Sequence, residues 1–415
     1  MIIDACRVCG NRELLPLLDL GPQALTGVFP RTPDESVPEV PLELVKCSPS
    51  GCGLVQLRHT ADLALMYNEG YGYRSGIRPF MVDHLAAKVD AITRRVAPGP
   101  GDLVLDIGSN DGTLLGAYDS GPTRVGVDPV GARFLDRYPA DAELIPDFFS
   151  EEAFTARFGD RRATAVTSIA MFYDLPEPMT FMRDVRDVLA DDGVWMLEQS
   201  YLPAALDSTA YDVVCHEHLE YYTLRQIEWM AERAGLTVIE AELGPVYGGS
   251  LCVILARTGS RHRPDEASLA RIRASESAAG LDTPAPYEAF AKRAYERRDR
   301  LRDFLDASKK AGMLSLGYGA STKGNVILQF CGIGADDLPC IGEVNQDKAG
   351  CFTPGTMIPI VSESEAKDMN PDQMLVLPWI HRQGFLERER DYLAGGGRMV
   401  FPLPEIDVVG DRAQA

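Results

Sequence analysis

The chain reads as an α/β protein in which a small metal-binding module precedes two doubly wound units. Three observations predict this. Two cysteine hooks lie near the N-terminus, and at 104–118 and again at 313–330 an apolar run ends in a glycine turn and continues as a helix-compatible segment. At 415 residues the chain is too long for one core, so two or three domains are expected.

Composition narrows the function. With 45% hydrophobic and 25% charged residues the chain is globular, and a formal charge of −20 repels nucleic-acid phosphates. The opening MIIDACRVCG does not look like a signal peptide, and no apolar run approaches the roughly 20 residues that span a bilayer. A cytoplasmic protein without nucleic-acid or membrane partners is expected, acting as a monomer. Nine cysteines, an odd number, then suit thiols and metal ligands better than disulfides.

The first element is the pair of hooks, Cys6-Arg7-Val8-Cys9-Gly10 and Cys47-Ser48-Pro49-Ser50-Gly51-Cys52-Gly53. Each has a glycine after its second cysteine, which lets the backbone turn thiolates toward one tetrahedral ion. A zinc-ribbon-like module over residues 1–66 follows. Four thiolates leave no open coordination position, so the ion is structural.

Next comes VLDIGSNDGTLLGAY, a strand carrying Asp106 and then a turn through Gly108, Asn110, Asp111 and Gly112 before a helix. Small residues there admit a cofactor close to the backbone. About 20 residues on, RVGVDP is a second strand ending in Asp128, placed to hold paired ribose hydroxyls. The turn is not G-x-G-x-x-G. Asn110 and Asp111 suit a cationic amino-acid ligand better than a pyrophosphate, which favours S-adenosylmethionine (SAM) over a dinucleotide. Further strands are legible at TAVTSIAMF, GVWMLEQSY, LTVIEAEL and SLCVILAR, completing a Rossmann-like class I methyltransferase domain over 67–258.

Residues 259–310 carry helical spacing and alternating charge, and are expected to be a helical connection. The second strand–turn–helix unit, MLSLGYGASTKGNVILQF, opens a Rossmann-like C-terminal domain over 311–415. Gly317, Gly319 and Gly324 permit close approach, while Ser321, Thr322 and Lys323 offer donors at the helix start, a reasonable diphosphate site.

The densest chemistry is CHEHLEYY, residues 215–222, with two of the six histidines, two carboxylates and two phenols. In an extended segment His216 and His218 share one side, and Glu220 or Asp174 could fix the tautomer of His218. Tyr221 and Tyr222 could donate to a developing oxyanion. A self-satisfied polar loop and a His-x-His metal site are the rival readings. Position after VWMLEQSY, inside the domain assigned to SAM, favours a general base. The same ionisable density favours an enzyme over a non-catalytic, ligand-sensing protein.

In order along the chain, the CRVCG hook, GYGYRSG (70–76), LDIGSNDGTLL, HEHLEYY, YGGSL (247–251), GYGASTKGN (317–325), TPGTMIPI (353–360) and FPLP (401–404) resemble the sugar C-methyltransferases of deoxysugar biosynthesis. The resemblance implies SAM-dependent methylation of a carbon next to the ketone of a nucleotide-linked ketosugar. It also implies a zinc module held by Cys6, Cys9, Cys47 and Cys52, and a C-terminal domain that helps to hold the nucleotide sugar. It carries the base onto His218 and supporting roles onto His216 and Glu217, and places Tyr71 and Tyr73 beside SAM and acceptor. Asp147 and Met171 are expected at the cofactor, Tyr222 and Asp174 at the reacting centre, and Tyr318 and Asn325 with Ser321 and Lys323 at the acceptor. Three positions depart from the family pattern: Cys215 stands where a tyrosine precedes His-Glu-His, Asp174 where the family has a histidine, and the second hook is longer. A different small-molecule acceptor, methylated at carbon or oxygen, is the alternative.

Overall fold

The computed structural model describes residues 1–66 and 73–410, so Tyr71 lies outside the described residues. Three sheets organise them. The N-terminal sheet is antiparallel, ordered Leu14–Ala24, Glu39–Cys47, Val55–Leu57 and then Glu220–Tyr221, a strand contributed from far along the chain.

The central sheet has seven strands in the order Leu236–Gly244, Ser250–Arg257, Leu189–Ser200, Ala163–Ile169, Leu103–Ile107, Thr123–Val127, Glu143–Ile145. Ser250–Arg257 runs antiparallel to both neighbours, and the five strands from Leu189–Ser200 to Glu143–Ile145 run parallel. All five residues of Leu103–Ile107 are buried, as a strand covered on both faces requires. One covering helix, Pro178–Val188, starts with proline at its first position and buries Phe181, Met182, Val185 and Val188 along one stripe. Another, Leu224–Ala234, is opened by a capping box of Thr223 and Gln226 and closed by Gly235 at φ 76°.

The third sheet is ordered Ile360–Ser362, Ile341–Glu343, Ser315–Tyr318, Gln373–Val376, Arg398–Phe401, Asp407–Val409, parallel except for the last strand. Residues 259–310 contain two helices, Glu266–Ala278 and Ala285–Lys310. The longer one is no solvated rod. Its Tyr287, Phe290, Ala294, Leu301 and Leu305 enter one core with Leu18, Leu42 and Leu44 of the N-terminal sheet, with Tyr211, Val213, Val214, Cys215 and Leu219, and with the third sheet. That shared core seats the CHEHLEYY segment between three bodies of structure. No helix among the described residues is long and apolar enough to cross a membrane.

Candidate active site and metal centre

The four hook cysteines converge. Their sulfurs lie within 4.8 Å of one another, with Cys6–Cys52 at 3.6 Å and Cys9–Cys47 at 3.5 Å. A tetrahedron with Zn–S bonds near 2.3 Å has edges of about 3.8 Å, so the donor set fits zinc. Gly10 and Gly53 adopt φ of 72° and 74°, the left-handed turns that the hooks need. Asn11 donates from Nδ2 to Cys47 Sγ at 3.6 Å, fixing the second hook.

A cavity of about 360 Å³ opens at the C-terminal ends of the central strands, where ligands of open α/β sheets bind. Asp106, Gly108, Asn110, Asp128, Asp147 and Met171 line it, as do Tyr73 and Asp174. Asp128 ends the second strand, its two oxygens accepting the backbone N–H groups of Asn110 and Val130 at 2.8 Å each. Those bonds fix the carboxylate while leaving lone pairs toward the cavity. Asp106 is fully enclosed, and burial pushes its pKa up to about 7 against the hydrogen bond from Thr167 Oγ1. Gly108, at φ 76°, brings the backbone to the cavity wall beside Met171. An acid at a strand end beside a bare glycine turn fits the ribose and amino-acid portions of SAM.

Asp111 and Gly112 do not line this cavity. Asp111 accepts from Gly76 N and from Thr113 Oγ1, and Asn110 Oδ1 accepts from Ser75 N. These two side chains clasp the strap at 75–76 instead of meeting a ligand ammonium. The Cβ missing at Gly112 leaves room for the Tyr138 ring.

The His-Glu-His part of the segment is not extended, and the strand begins only at Glu220. Cys215 O accepts from His218 N at 3.1 Å, closing a turn at 216–217 that sends the two imidazoles apart. His216 is buried against the N-terminal module. Its Nε2 donates to Val40 O at 2.9 Å, while its Nδ1 accepts from Thr26 N at 3.3 Å and lies 3.2 Å from Thr26 Oγ1. Burial holds its pKa down near 4. Both nitrogens are occupied, so His216 braces the loop.

His218 is different. Nδ1 lies 2.9 Å from Val213 O, so it carries the proton and donates, and Nε2 is left as the basic nitrogen. The ring packs on Tyr173 at 4.3 Å, next to Asp174 on the cavity wall. Burial first and then the Lys323 ammonium lower its pKa to about 3, so it is neutral at pH 7. Neither acid expected to fix its tautomer does so: the Val213 carbonyl has that place, and Glu220 pairs with Arg7 at 3.6 Å, both side chains buried.

The tyrosines are corrected as well. Tyr222 is fully buried against Phe172, and its hydroxyl finds no hydrogen-bond partner among the described residues. Tyr221 donates to Val213 O. Neither lines the cavity.

In the third sheet, Tyr318 is buried, donating to Glu389 at 2.6 Å and accepting from Arg388 at 2.9 Å, so its hydroxyl is committed to a charged cluster. Ser321 caps the helix Thr322–Phe330. Asn325 is buried and donates to Thr26 O at 2.7 Å, tying that helix to the N-terminal module. The helix start is faced by the protein's own Glu217, which accepts from Thr26 Oγ1 at 3.5 Å and sits near Thr322, while burial raises its pKa. A carboxylate there argues against the diphosphate site. Lys323 makes no hydrogen bond or ion pair among the described residues, and its charge bears on His218, Cys215, Asp212 and His381.

Two functional features escaped sequence reasoning. The Arg7–Glu220 pair joins the first zinc hook to the histidine segment, and Thr26 braces His216 and Glu217; both are contacts between residues remote in sequence. Tyr247, at φ 58° on the cavity wall, lay in the YGGSL motif and could have been found there.

A strand-end acid, a glycine turn and a cavity on a seven-stranded sheet, beside a zinc-binding four-cysteine module, define a SAM-dependent methyltransferase. Family profiles agree: residues 6–67 match a zinc binding domain, 81–241 a methyltransferase domain, and 245–404 a C-methyltransferase C-terminal domain. The chain is 32% identical to the C-methyltransferase NovU of Streptomyces niveus over 98% of its own length and 97% of the relative's. It belongs to this C-methyltransferase family. Among solved structures, the O-methyltransferase NcsB1 from neocarzinostatin biosynthesis is 21% identical, covering 43% of this chain and 55% of that one at a TM-score of 0.32. The CcbJ methyltransferase of Streptomyces caelestis is 15% identical, covering 45% and 98% at 0.34.

Proposed function

We propose that the protein methylates the carbon next to the ketone of a nucleotide-diphosphate ketosugar, with His218 as the general base. The observation that carries this reading is the tautomer of His218: a carbonyl holds Nδ1–H, so Nε2 carries the lone pair, on a ring packed against Tyr173, the neighbour of cavity-lining Asp174. SAM supplies an electrophilic methyl group. Nε2 takes the proton from the acceptor carbon, and the C–H electrons pass into an enolate. That carbon would take the methyl group as the S–C bond of bound SAM breaks, with S-adenosylhomocysteine as the leaving group.

Lys323 has no carboxylate partner of its own among the described residues, and on this reading its ammonium would meet the enolate oxygen. Once an acceptor's negative charge meets that ammonium, one of the two causes depressing the His218 pKa is offset, and the imidazole becomes a stronger base. Asp128, Asp106, Gly108, Asp147 and Met171 hold SAM on this reading, with the backbone of Asn110 beside them, and Tyr73 and Asp174 on the cavity wall face the acceptor. We divide the chain into a zinc module at 1–66, a SAM domain at 67–258, a helical connection at 259–310 and an acceptor-binding domain at 311–415.

The test supplies SAM with a labelled methyl group and a panel of ketosugar nucleotides. Label on carbon, with loss of the proton beside the ketone, supports the reading. Label on oxygen, or turnover only of acceptors lacking a nucleotide, rejects it.

A further inference from the structure

The third sheet repeats the construction that holds Asp128, at an acid the functional reading has not used. In the central sheet Gly108 follows the first strand at φ 76°, and its N–H donates at 2.8 Å to Val127 O, just before Asp128. In the third sheet Gly319 follows the strand Ser315–Tyr318 at φ 83°, and its N–H donates at 2.8 Å to Gly342 O, just before Glu343. Asp128 accepts one N–H from the glycine turn and one from the residue two places ahead of itself. Glu343 does the same, from Ala320 N and Asn345 N at 2.7 Å each. Both acids end the strand parallel to the first one, and both are more than nine-tenths buried.

A carboxylate gripped by two backbone N–H groups at a strand end is a rigid acceptor aimed past the sheet. After Asp128 the chain continues into Pro129 and Val130 on the cavity wall; after Glu343 it continues into Val344, apolar and 52% exposed. Lys348 donates to Ala320 O at 2.8 Å and lies over the Phe29 ring at 4.3 Å, placing a cation and an aromatic face at the same turn.

We propose that Glu343 accepts the pentose hydroxyls of the acceptor's nucleotide, as Asp128 is built to accept those of SAM. This rests on the reading that the acceptor is nucleotide-linked. It moves recognition of the nucleotide from the start of helix Thr322–Phe330, where Glu217 already stands, to the end of the neighbouring strand.

Titration calorimetry on the full-length zinc-loaded protein tests it, with uridine and thymidine diphosphates and their 2′,3′-dideoxy counterparts as probes. Wild type should bind the hydroxylated nucleotides about 10-fold more tightly, the lower end for hydrogen bonds to a charged group. Glu343→Gln should erase that preference and leave S-adenosylhomocysteine affinity unchanged. Glu343→Asp, which keeps a charge for the loop N–H groups but draws it back, should erase it too and serves if the first variant does not fold. Equal binding of both probe types by wild type, or a preference that survives in a folded variant, overturns the assignment and leaves the nucleotide reading standing. If wild type binds no nucleoside diphosphate at all, the nucleotide reading falls and takes this assignment with it.

Discussion

The glycine turns at 108 and 319 look alike in sequence and do different work. The first opens onto a cavity, because among the described residues the only side chain close to Gly108 is the flexible Met171 and the turn's own polar residues fold outward onto the strap at 75–76. The second is closed over: a Cβ on Gly319 would lie 2.6 Å from Pro378, and Glu217 meets the helix that follows. A strand–turn–helix unit therefore offers an anion site at its helix start only if nothing else in the chain fills it. At the second turn the protein's own carboxylate does.

The strongest way to sharpen this contrast is His218→Asn. With His218 as the base between the two turns, turnover should fall by roughly 10² to 10⁴ while SAM affinity stays within a few-fold. The variant should also lose exchange of the acceptor's proton in deuterated water, followed by NMR with S-adenosylhomocysteine bound. Exchange at the wild-type rate would place the base elsewhere.

Arg7→Met comes next. It removes one partner of a pair in which both side chains are buried, and such a break costs about 3 to 5 kcal/mol. Because Glu220 belongs to the histidine segment, denaturant unfolding should show the loss, and turnover should fall even where metal analysis finds zinc still bound. Full activity with full zinc would show the pair to be a bystander. The sequence alone suggested a separable module; the shared strand Glu220–Tyr221 makes zinc and the histidine segment one structure.

At the first turn, Asp128→Ala should weaken SAM binding by about 1.5 to 3 kcal/mol, the scale of hydrogen bonds to a charged group. Glu217→Gln, beside the second turn, should leave SAM binding alone. Calorimetry on both variants reads the comparison directly, and equal losses would dissolve it.

The smallest effect concerns pH. His218, with a folded pKa near 3 against about 6.5 unfolded, stays unprotonated when the unfolded chain would take a proton. It therefore favours folding above pH 6.5 and opposes it increasingly as pH falls from there toward 3. NMR should find no titration of this ring between pH 5 and 8 in the acceptor-free protein, and the midpoint should move upward when a nucleotide-sugar analogue binds. Titration near 6.5 without acceptor would mean the ring is not enclosed as described.

Much of this was legible in the sequence because it is local. The cysteine hooks, the strand carrying Asp106, the glycine at 108 and the acid at 128 are each set by a few consecutive residues, and they fell where the pattern put them. The histidine segment was legible in chemistry and illegible in shape. An alternating His-Glu-His reads as a strand, but Val40, Thr26 and Val213 compete for its polar groups and bend it into a turn. Tyr222 and Tyr318 were misplaced for a related reason: a phenol next to reactive groups in sequence can still point into the opposite layer, and only the packing of Phe172 or Glu389 decides. Glu343 was legible in principle, since it follows Gly319 much as Asp128 follows Gly108.

The strand that the later chain contributes to the N-terminal sheet also bears on how the molecule assembles. Val55–Leu57 is paired with Leu44–Lys46 on one side, and on the other it waits for Glu220 and Tyr221, which leave the ribosome much later. Until then the N-terminal sheet has an open edge, and Arg7 has no carboxylate partner among the described residues. Pairings between segments so far apart form slowly, and chains of this size fold through partly structured intermediates. The edge that closes last is the one that carries the histidine loop, so the four cysteines can gather early and yet the loop has no sheet to dock on until more than half the chain has been made.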